Sequence, residues 1–210
     1  DGRADSVSMA RPCLADPDFG AKAAAGKADT INTCIGCNQA CLDHTFGGKI
    51  TSCLVNPRAC HETLMVATPA PSKERIAVVG AGPAGLAFST EAAKRGYEVT
   101  LFDAANEIGG QFNVAKQVPG KEEFFETLRY FKRKLETTGV DLRLNTRVSV
   151  DDLVAGGFDE IILATGIAPR TPEIPGVESP KVINYLDAIL QRKPVGQTVA
   201  VIGAGGIGFD

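Results

Sequence analysis

The chain is predicted to be an α/β protein, with parallel sheet and flanking helices following an irregular cysteine-rich segment. Three observations carry this. The string Ile76-Ala-Val-Val-Gly-Ala-Gly-Pro-Ala-Gly85 recurs as Val199-Ala-Val-Ile-Gly-Ala-Gly-Gly-Ile-Gly208. Each copy is a short β-branched strand running into a glycine-rich turn. Between the copies, apolar residues alternate between strand and helix spacing, the pattern of βαβ units. Ahead of the first copy, five of the six cysteines lie between Cys34 and Cys60.

Composition narrows the function classes. The 210 residues are 44% apolar and 22% charged, ordinary for a globular protein able to bury a core. A net charge of −3 with no basic run gives no handle for nucleic acid or an anionic membrane. The longest apolar stretch, Ile76 to Phe88, is too short to span a bilayer. Clustered cysteines beside a long nucleotide-binding region favour thiolates bound to metal in a reduced, cytoplasmic compartment over disulfides. Both ends read as interrupted: the chain opens without Met and stops at Asp210 inside an expected helix.

Taken in order, residues 1–15 read as a short strand, Ser6 to Met9, and a loop opened by Arg11 and Pro12. Residues 16–75 carry the cysteines and end in the Pro-rich linker Ala67-Thr-Pro-Ala-Pro-Ser-Lys73. Residues 76–180 form a dinucleotide-binding domain. Its strands are expected at 76–80, 98–102, 141–144 and 160–164, with helices at 83–95 and about 121–138. Phe124, Phe125, Leu128 and Phe131 on the last helix are expected in the core. Residues 181–210 begin a second unit of the same kind.

The first turn, Gly80-Ala-Gly82-Pro-Ala-Gly85, has the G-x-G-x-x-G spacing between a strand and a helix, the context that gives it meaning. Gly80 makes the turn, Gly82 admits a pyrophosphate to the helix N-terminus, and Gly85 lets strand and helix pack closely. Asp103 ends the second strand, where a carboxylate can bind a ribose hydroxyl. It disfavours a 2′-phosphate, since like charges at about 4 Å cost roughly 4 kcal/mol at an effective dielectric near 20. FAD or NAD is therefore expected there. The second turn, Gly203-Ala-Gly205-Gly-Ile-Gly208, is expected to hold a second dinucleotide.

The spacing Cys34-x2-Cys37-x3-Cys41-x11-Cys53 offers four thiolates, three on one loop and one returning later. An iron–sulfur cluster needs such a set. A closed zinc site also uses four thiolates, though usually as two paired knuckles. Cys13 and Cys60 read as small packing residues. His44 and His61 read as structural groups or as groups supporting the cysteine ligands.

Several strings resemble known families. Gly109-Gly110-Gln111 and Leu163-Ala164-Thr165-Gly166 are similar to the flavin-contact segments of disulfide-reductase-like flavoproteins, which favours FAD at the first turn. That likeness implies Ala84, Gly110, Gln111, Ala164, Thr165 and Gly166 at the FAD, with Lys121 toward the adenosine and the Val148 backbone at the adenine. Ser8-Met-Ala-Arg-Pro12 resembles the last strand and loop of the FMN-binding TIM barrel of old yellow enzymes. There an arginine clamps the flavin phosphate, implying that role for Arg11 beside the Ala10 N–H.

Together with Cys34-Ile-Gly-Cys-Asn-Gln-Ala-Cys41 and Thr51-Ser-Cys-Leu-Val-Asn-Pro-Arg-Ala-Cys-His61, these strings resemble bacterial NADPH-dependent 2,4-dienoyl-CoA reductases over essentially the whole chain. The resemblance implies an internal stretch of an enzyme with an FMN barrel, a 4Fe-4S segment, an FAD domain and an NADPH domain. Electrons would run from NADPH through FAD and the cluster to FMN, which reduces an unsaturated fatty acyl-CoA. Its proton donors would lie before residue 1, so no catalytic residue is expected in this chain. Other enoate reductases, trimethylamine dehydrogenase-like enzymes, electron-input subunits like the small subunit of glutamate synthase, and a zinc module fused to a nucleotide sensor are the alternatives.

Overall fold

The computed structural model describes residues 2–210; Asp1, the first residue of the expected barrel end, lies outside the described residues. A parallel four-stranded sheet forms the centre, in the order β3-β2-β1-β4. The strands are β1 (Arg75–Val79), β2 (Glu98–Phe102), β3 (Asp141–Arg143) and β4 (Glu160–Leu163). Val78 is in register with Leu101 on one side and with Ile162 on the other. Successive side chains of β1 alternate between faces, as the pleat requires. Ile76 and Val78 join Leu86, Leu101 and Leu135 in one core layer. Ala77 joins Phe102 and Leu153 in the other. The expected strand limits agree to within one residue.

Helices precede the sheet as α1 (Arg11–Ala15), α2 (Phe19–Ala24) and α3 (Leu42–Phe46), with a 3₁₀ turn at Ala28–Thr30. Within and after the sheet come α4 (Pro83–Arg95), α5 (Phe112–Ala115), α6 (Glu123–Thr138), α7 (Val150–Ala155), α8 (Tyr185–Ile189) and α9 (Gly206–Phe209). Helix α4 starts with Pro83 in its first turn, where the missing N–H costs nothing. It stops at Gly96, left-handed at φ 109°, with Lys94 and Arg95 in the last turn.

Helix α6 departs from expectation on one residue. Its buried positions are Thr127 and Leu135, with Phe131 half-buried between them against the same core. Spacing of four places these on the face toward α4. Phe124 and Leu128 are half-buried, and the Phe124 ring packs on Phe112 at 4.6 Å. Phe125 turns outward, 49% exposed, with Lys116 Nζ 5.2 Å from its ring centre.

Two expected strands do not form. Residues 6–9 are irregular, and the helix α1 stands where a loop was expected at Arg11 and Pro12. Residues 199–202 carry no ladder either. A strand is completed by a neighbour's N–H and C=O groups, and no described strand pairs with either segment.

The segment before the sheet has a very small apolar core. Its buried apolar residues are Ala15, Ala40 and Ala59. Polar groups do the holding. The buried Asp16 carboxylate accepts from the Asn32 N–H at 2.8 Å, the Asp18 N–H at 3.1 Å and Lys22 Nζ at 2.6 Å. Asn32 Nδ2 donates to Ala15 O at 3.2 Å and Val55 O at 2.7 Å, and Asn56 Nδ2 to Leu14 O at 2.8 Å.

Tyr130 of α6 borders this segment. Burial, then the charges of Asp16 and Glu91, push its phenol up to about 12. A raised phenol binds its proton more tightly when folded. Stability is therefore full below the ordinary tyrosine value near 10 and is lost as pH rises toward 12. Two pKa units amount to about 3 kcal/mol. Burial moves neighbouring Lys134 downward, which acts in the opposite sense. Chemical unfolding of Tyr130→Phe beside the parent, between pH 10 and 12, isolates the tyrosine contribution: the parent should lose stability more steeply.

Candidate functional site

Three segments meet at the C-terminal edge of β1. The glycine turn after β1 is held on one side by Asp103, whose Oδ2 accepts the Ala81 N–H at 2.6 Å. On the other side, the Gly109 N–H donates to Ala81 O at 2.8 Å. Ala164 closes the third side: a Cβ on Gly80 would lie 2.3 Å from its carbonyl oxygen. The turn thus needs glycine at Gly80 for both space and its φ of 110°. Gly85 has no room either, since a Cβ there would sit 1.8 Å from Gly80 O.

Gly82 is different. Its φ of −74° and ψ of −179° suit any residue. A Cβ there would meet no protein atom within 4 Å. Neither backbone conformation nor packing calls for glycine, and the open space lies at the N-terminus of the thirteen-residue helix α4. A ligand approaching those N–H groups explains the residue. Gly110 borders the same space, its added Cβ falling 3.1 Å from Gly82 Cα. The second turn repeats the geometry. Gly203 has φ 117°, Gly205 has φ −87° and ψ −177° with nothing near an added Cβ, and a Cβ on Gly208 would lie 2.2 Å from Gly203 O.

The other expected contacts are distributed less closely. Ala84, Gln111, Thr165 and Gly166 are exposed around this rim. Tyr185 of α8 donates its hydroxyl to Gln111 Oε1 at 3.2 Å. Lys121 pairs with Asp210, just after the second turn. Val148 is half-buried beneath the sheet against Ala77, Phe102 and Leu153. Asp103 holds protein as well as facing the site: its second oxygen accepts the Ala105 N–H at 2.8 Å. Each oxygen retains another lone pair for a ribose hydroxyl. Removing this carboxylate frees the turn. Asp103→Ala should cost about 2 to 3 kcal/mol in urea unfolding, the scale of charged hydrogen bonds.

A second centre lies in the segment before the sheet. Cys34, Cys37, Cys41 and Cys53 line one cavity together with Arg11, Leu14, Asn38 and Ala40. Among the described residues, no group of three or more His, Cys, Asp or Glu side chains is arranged to hold a single metal ion. All four cysteines contribute to the lining of this one cavity. Burial raises the Cys53 thiol above the ordinary range, the Val55 and Asn56 N–H groups pull it down, and charge on Cys34 and Cys37 would raise it further. The Gly36 N–H points to Cys34 Sγ at 3.5 Å. Backbone N–H groups thus face the sulfurs, as bound thiolates require.

Arg11 Nη1 donates to Asn38 Oδ1 at 2.8 Å. Asn38, inside the cysteine loop, has φ 59°, and the arginine holds it there. Ala10 is exposed beside it. Cys13 and Cys60 do not pack as expected: both are exposed. Cys13 lies on the outer side of α1, while Ala15 turns inward, and Cys60 caps a surface turn at φ 63°. The two histidines are tied to backbone, His44 Nδ1 to Ile50 O at 3.0 Å and His61 Nδ1 to Ala59 O at 3.1 Å.

A glycine turn with open space over its middle residue, built twice in one chain, marks a protein of the dinucleotide-binding class. Residues 74–210 match the pyridine nucleotide-disulphide oxidoreductase family, and the chain belongs to it. That family's domain binds FAD and NAD(P). A metal reductase of Desulforamulus reducens is 38% identical over 214 residues, covering 100% of this chain and 32% of that protein. The structure of a 2-naphthoyl-CoA reductase with 2-naphthoyl-CoA superposes with a TM-score of 0.94 at 35% identity, over 99% of this chain and 32% of that one. A 6-hydroxypseudooxynicotine amine oxidase of Pseudomonas geniculata superposes at 0.80 with 33% identity, over 90% and 30%. The chain therefore spans about a third of the length of these relatives. No helix among the described residues is long and apolar enough to cross a membrane.

Proposed function

We propose that this chain is the electron-transfer portion of an NADPH-dependent 2,4-dienoyl-CoA reductase. The observation that carries the reading is the joining of a four-thiol cavity to a dinucleotide turn in one chain. Cys34, Cys37, Cys41 and Cys53 would hold a 4Fe-4S cluster. The spacing, three thiols on one loop and a fourth returning later, and the adjoining dinucleotide unit favour a cluster over one zinc, whose closed sites more often use two paired knuckles. Three buried alanines give this segment little apolar support of its own, and a bound cluster supplies what the core lacks.

Gly80, Gly82, Gly85, Asp103, Gly110, Gln111 and the 164–166 segment would hold FAD. Gly203, Gly205 and Gly208 would hold the NADPH pyrophosphate. Arg11 and the Ala10 N–H would hold the FMN phosphate, with residues 1–15 as the end of the barrel. When bound, these groups supply hydride acceptance, one-electron relay and reduction of the unsaturated acyl chain, in a cytoplasmic enzyme of fatty acid breakdown. The protein's part is to exclude side chains over the pyrophosphates, orient the turns and hold four sulfurs in place.

The likeness to a reductase carrying an acyl-CoA supports a thioester substrate. The likeness to an amine oxidase favours the second reading, oxidation of an amine by the same cofactor set. Steady-state assays of the full-length holoenzyme decide between them. NADPH-dependent loss of a 2,4-dienoyl-CoA with no turnover of simple amines supports the first reading, and amine oxidation without dienoyl-CoA reduction supports the second.

A further inference from the structure

We propose that Arg129 is a positioning residue that fixes the cysteine loop against the dinucleotide-binding unit, and so sets the separation across which an electron passes from flavin to cluster. This rests on the cluster and FAD reading above. Arg129 lies on α6 and sends its guanidinium into the run that leads to Cys34. Nε donates to Glu126 Oε2 at 2.6 Å. Nη1 donates to the carbonyls of Ala28 and Asp29. Nη2 donates to Ile31 O at 2.8 Å and to Thr33 Oγ1 at 3.3 Å. Thr33 directly precedes the first cysteine.

These bonds use all five N–H groups that arginine owns. None is left for a ligand, so Arg129 acts through the chain it holds. A lysine could not replace it, because its ammonium is a point donor without the planar fork that grips several carbonyls at fixed angles. One turn further along α6, Arg133 Nε pairs with Asp29 Oδ2 at 2.7 Å and braces the same run. Tyr130 borders the segment and Arg95 Nε holds Thr68 O at 2.8 Å in the linker, but among the described residues the segment's buried apolar core is three alanines, so polar ties such as those of Arg129 carry much of the orientation. The step concerned moves one electron: reduced flavin is oxidised by one electron as the oxidised cluster is reduced by one, and no heavy atom is transferred.

Arg129→Gln and Arg129→Lys test this in full-length holoenzyme mixed anaerobically with NADPH. Flavin bleaching is followed by stopped flow and the reduced cluster by freeze-quench paramagnetic resonance. The fast phase of bleaching, FAD reduction by NADPH, should keep its parent rate in both variants, while the FMN phase should follow the cluster. Cluster reduction should slow roughly tenfold or more in Arg129→Gln, the penalty of a misplaced reaction partner, and less in Arg129→Lys. Parent-rate cluster reduction in iron-replete Arg129→Gln overturns the proposal, as does equal slowing of both steps. If Arg129→Gln loses iron, the same pair of rates in Arg129→Lys decides. Absence of iron from the parent protein overturns the cluster reading itself, a failure distinct from the others.

Discussion

Replacing Cys37 by serine is expected to strip iron and sulfide from the protein while leaving the flavin in place. The two centres are built by different parts of the chain. Cys37 lines the thiol cavity before the sheet, whereas the glycine turn is held by Asp103, Gly109 and Ala164 within the sheet unit. A serine hydroxyl is a poor substitute for a thiolate toward iron. Loss of one ligand in four should take bound iron from about four per chain to near zero. It should also loosen the segment, because a core of Ala15, Ala40 and Ala59 cannot hold the residues before β1 without another anchor. The expected result is a yellow, cluster-free protein. NADPH still bleaches its FAD, but FMN stays oxidised and substrate reduction falls below detection. Retention of full iron by Cys37→Ser, with the same result at Cys34, Cys41 and Cys53, would contradict the assigned ligand set.

The second large effect is at Gly82. Alanine fits the backbone there, and its methyl meets no protein atom within 4 Å. Gly82→Ala should therefore fold with nearly parent stability. Its methyl occupies the space over the α4 N-terminus, so the cost should fall on the ligand. A tenfold loss of FAD affinity corresponds to about 1.4 kcal/mol, and roughly tenfold to hundredfold is expected. Gly85→Ala makes the contrast, since its methyl would lie 1.8 Å from Gly80 O. That clash has to shift backbone, costing about 1 to 3 kcal/mol or more. Thermal unfolding together with flavin content separates the two. Gly82→Ala should lose flavin and keep its stability, and Gly85→Ala should lose both. Flavin retained at parent affinity in Gly82→Ala would mean that no ligand approaches this turn closely.

Local patterns in the sequence foretold the sheet unit well, because its strands and α4 carry their own signals. The strand-to-turn string, Pro83 at the helix start and Gly96 at its end lie within a short stretch and act locally. The spacing of Cys34, Cys37, Cys41 and Cys53 set them apart in the sequence, and the four line one cavity. What required the fold was pairing and long-range hydrogen bonding. Ser6–Met9 and Val199–Ile202 have strand-forming residues, but a ladder depends on a neighbour that sequence pattern does not supply. Phe125 has the right chemistry for a core and the wrong helical angle, a difference of one position along α6.

The polar scaffold was also illegible. Asp16, Asn32 and Asn56 look like ordinary loop residues until their partners, up to 42 positions away, are known. Arg129 looks like a solvated helix charge, and its partners lie about a hundred positions earlier. Asp103 was readable as a strand-end carboxylate, but its grip on the Ala81 N–H was not.

The most direct measurement is chemical analysis of iron and acid-labile sulfide in anaerobically purified protein, joined to paramagnetic resonance after reduction. The account predicts about four of each per chain and a low-temperature signal from one unpaired electron. One zinc per chain, with no sulfide and no signal, would contradict it.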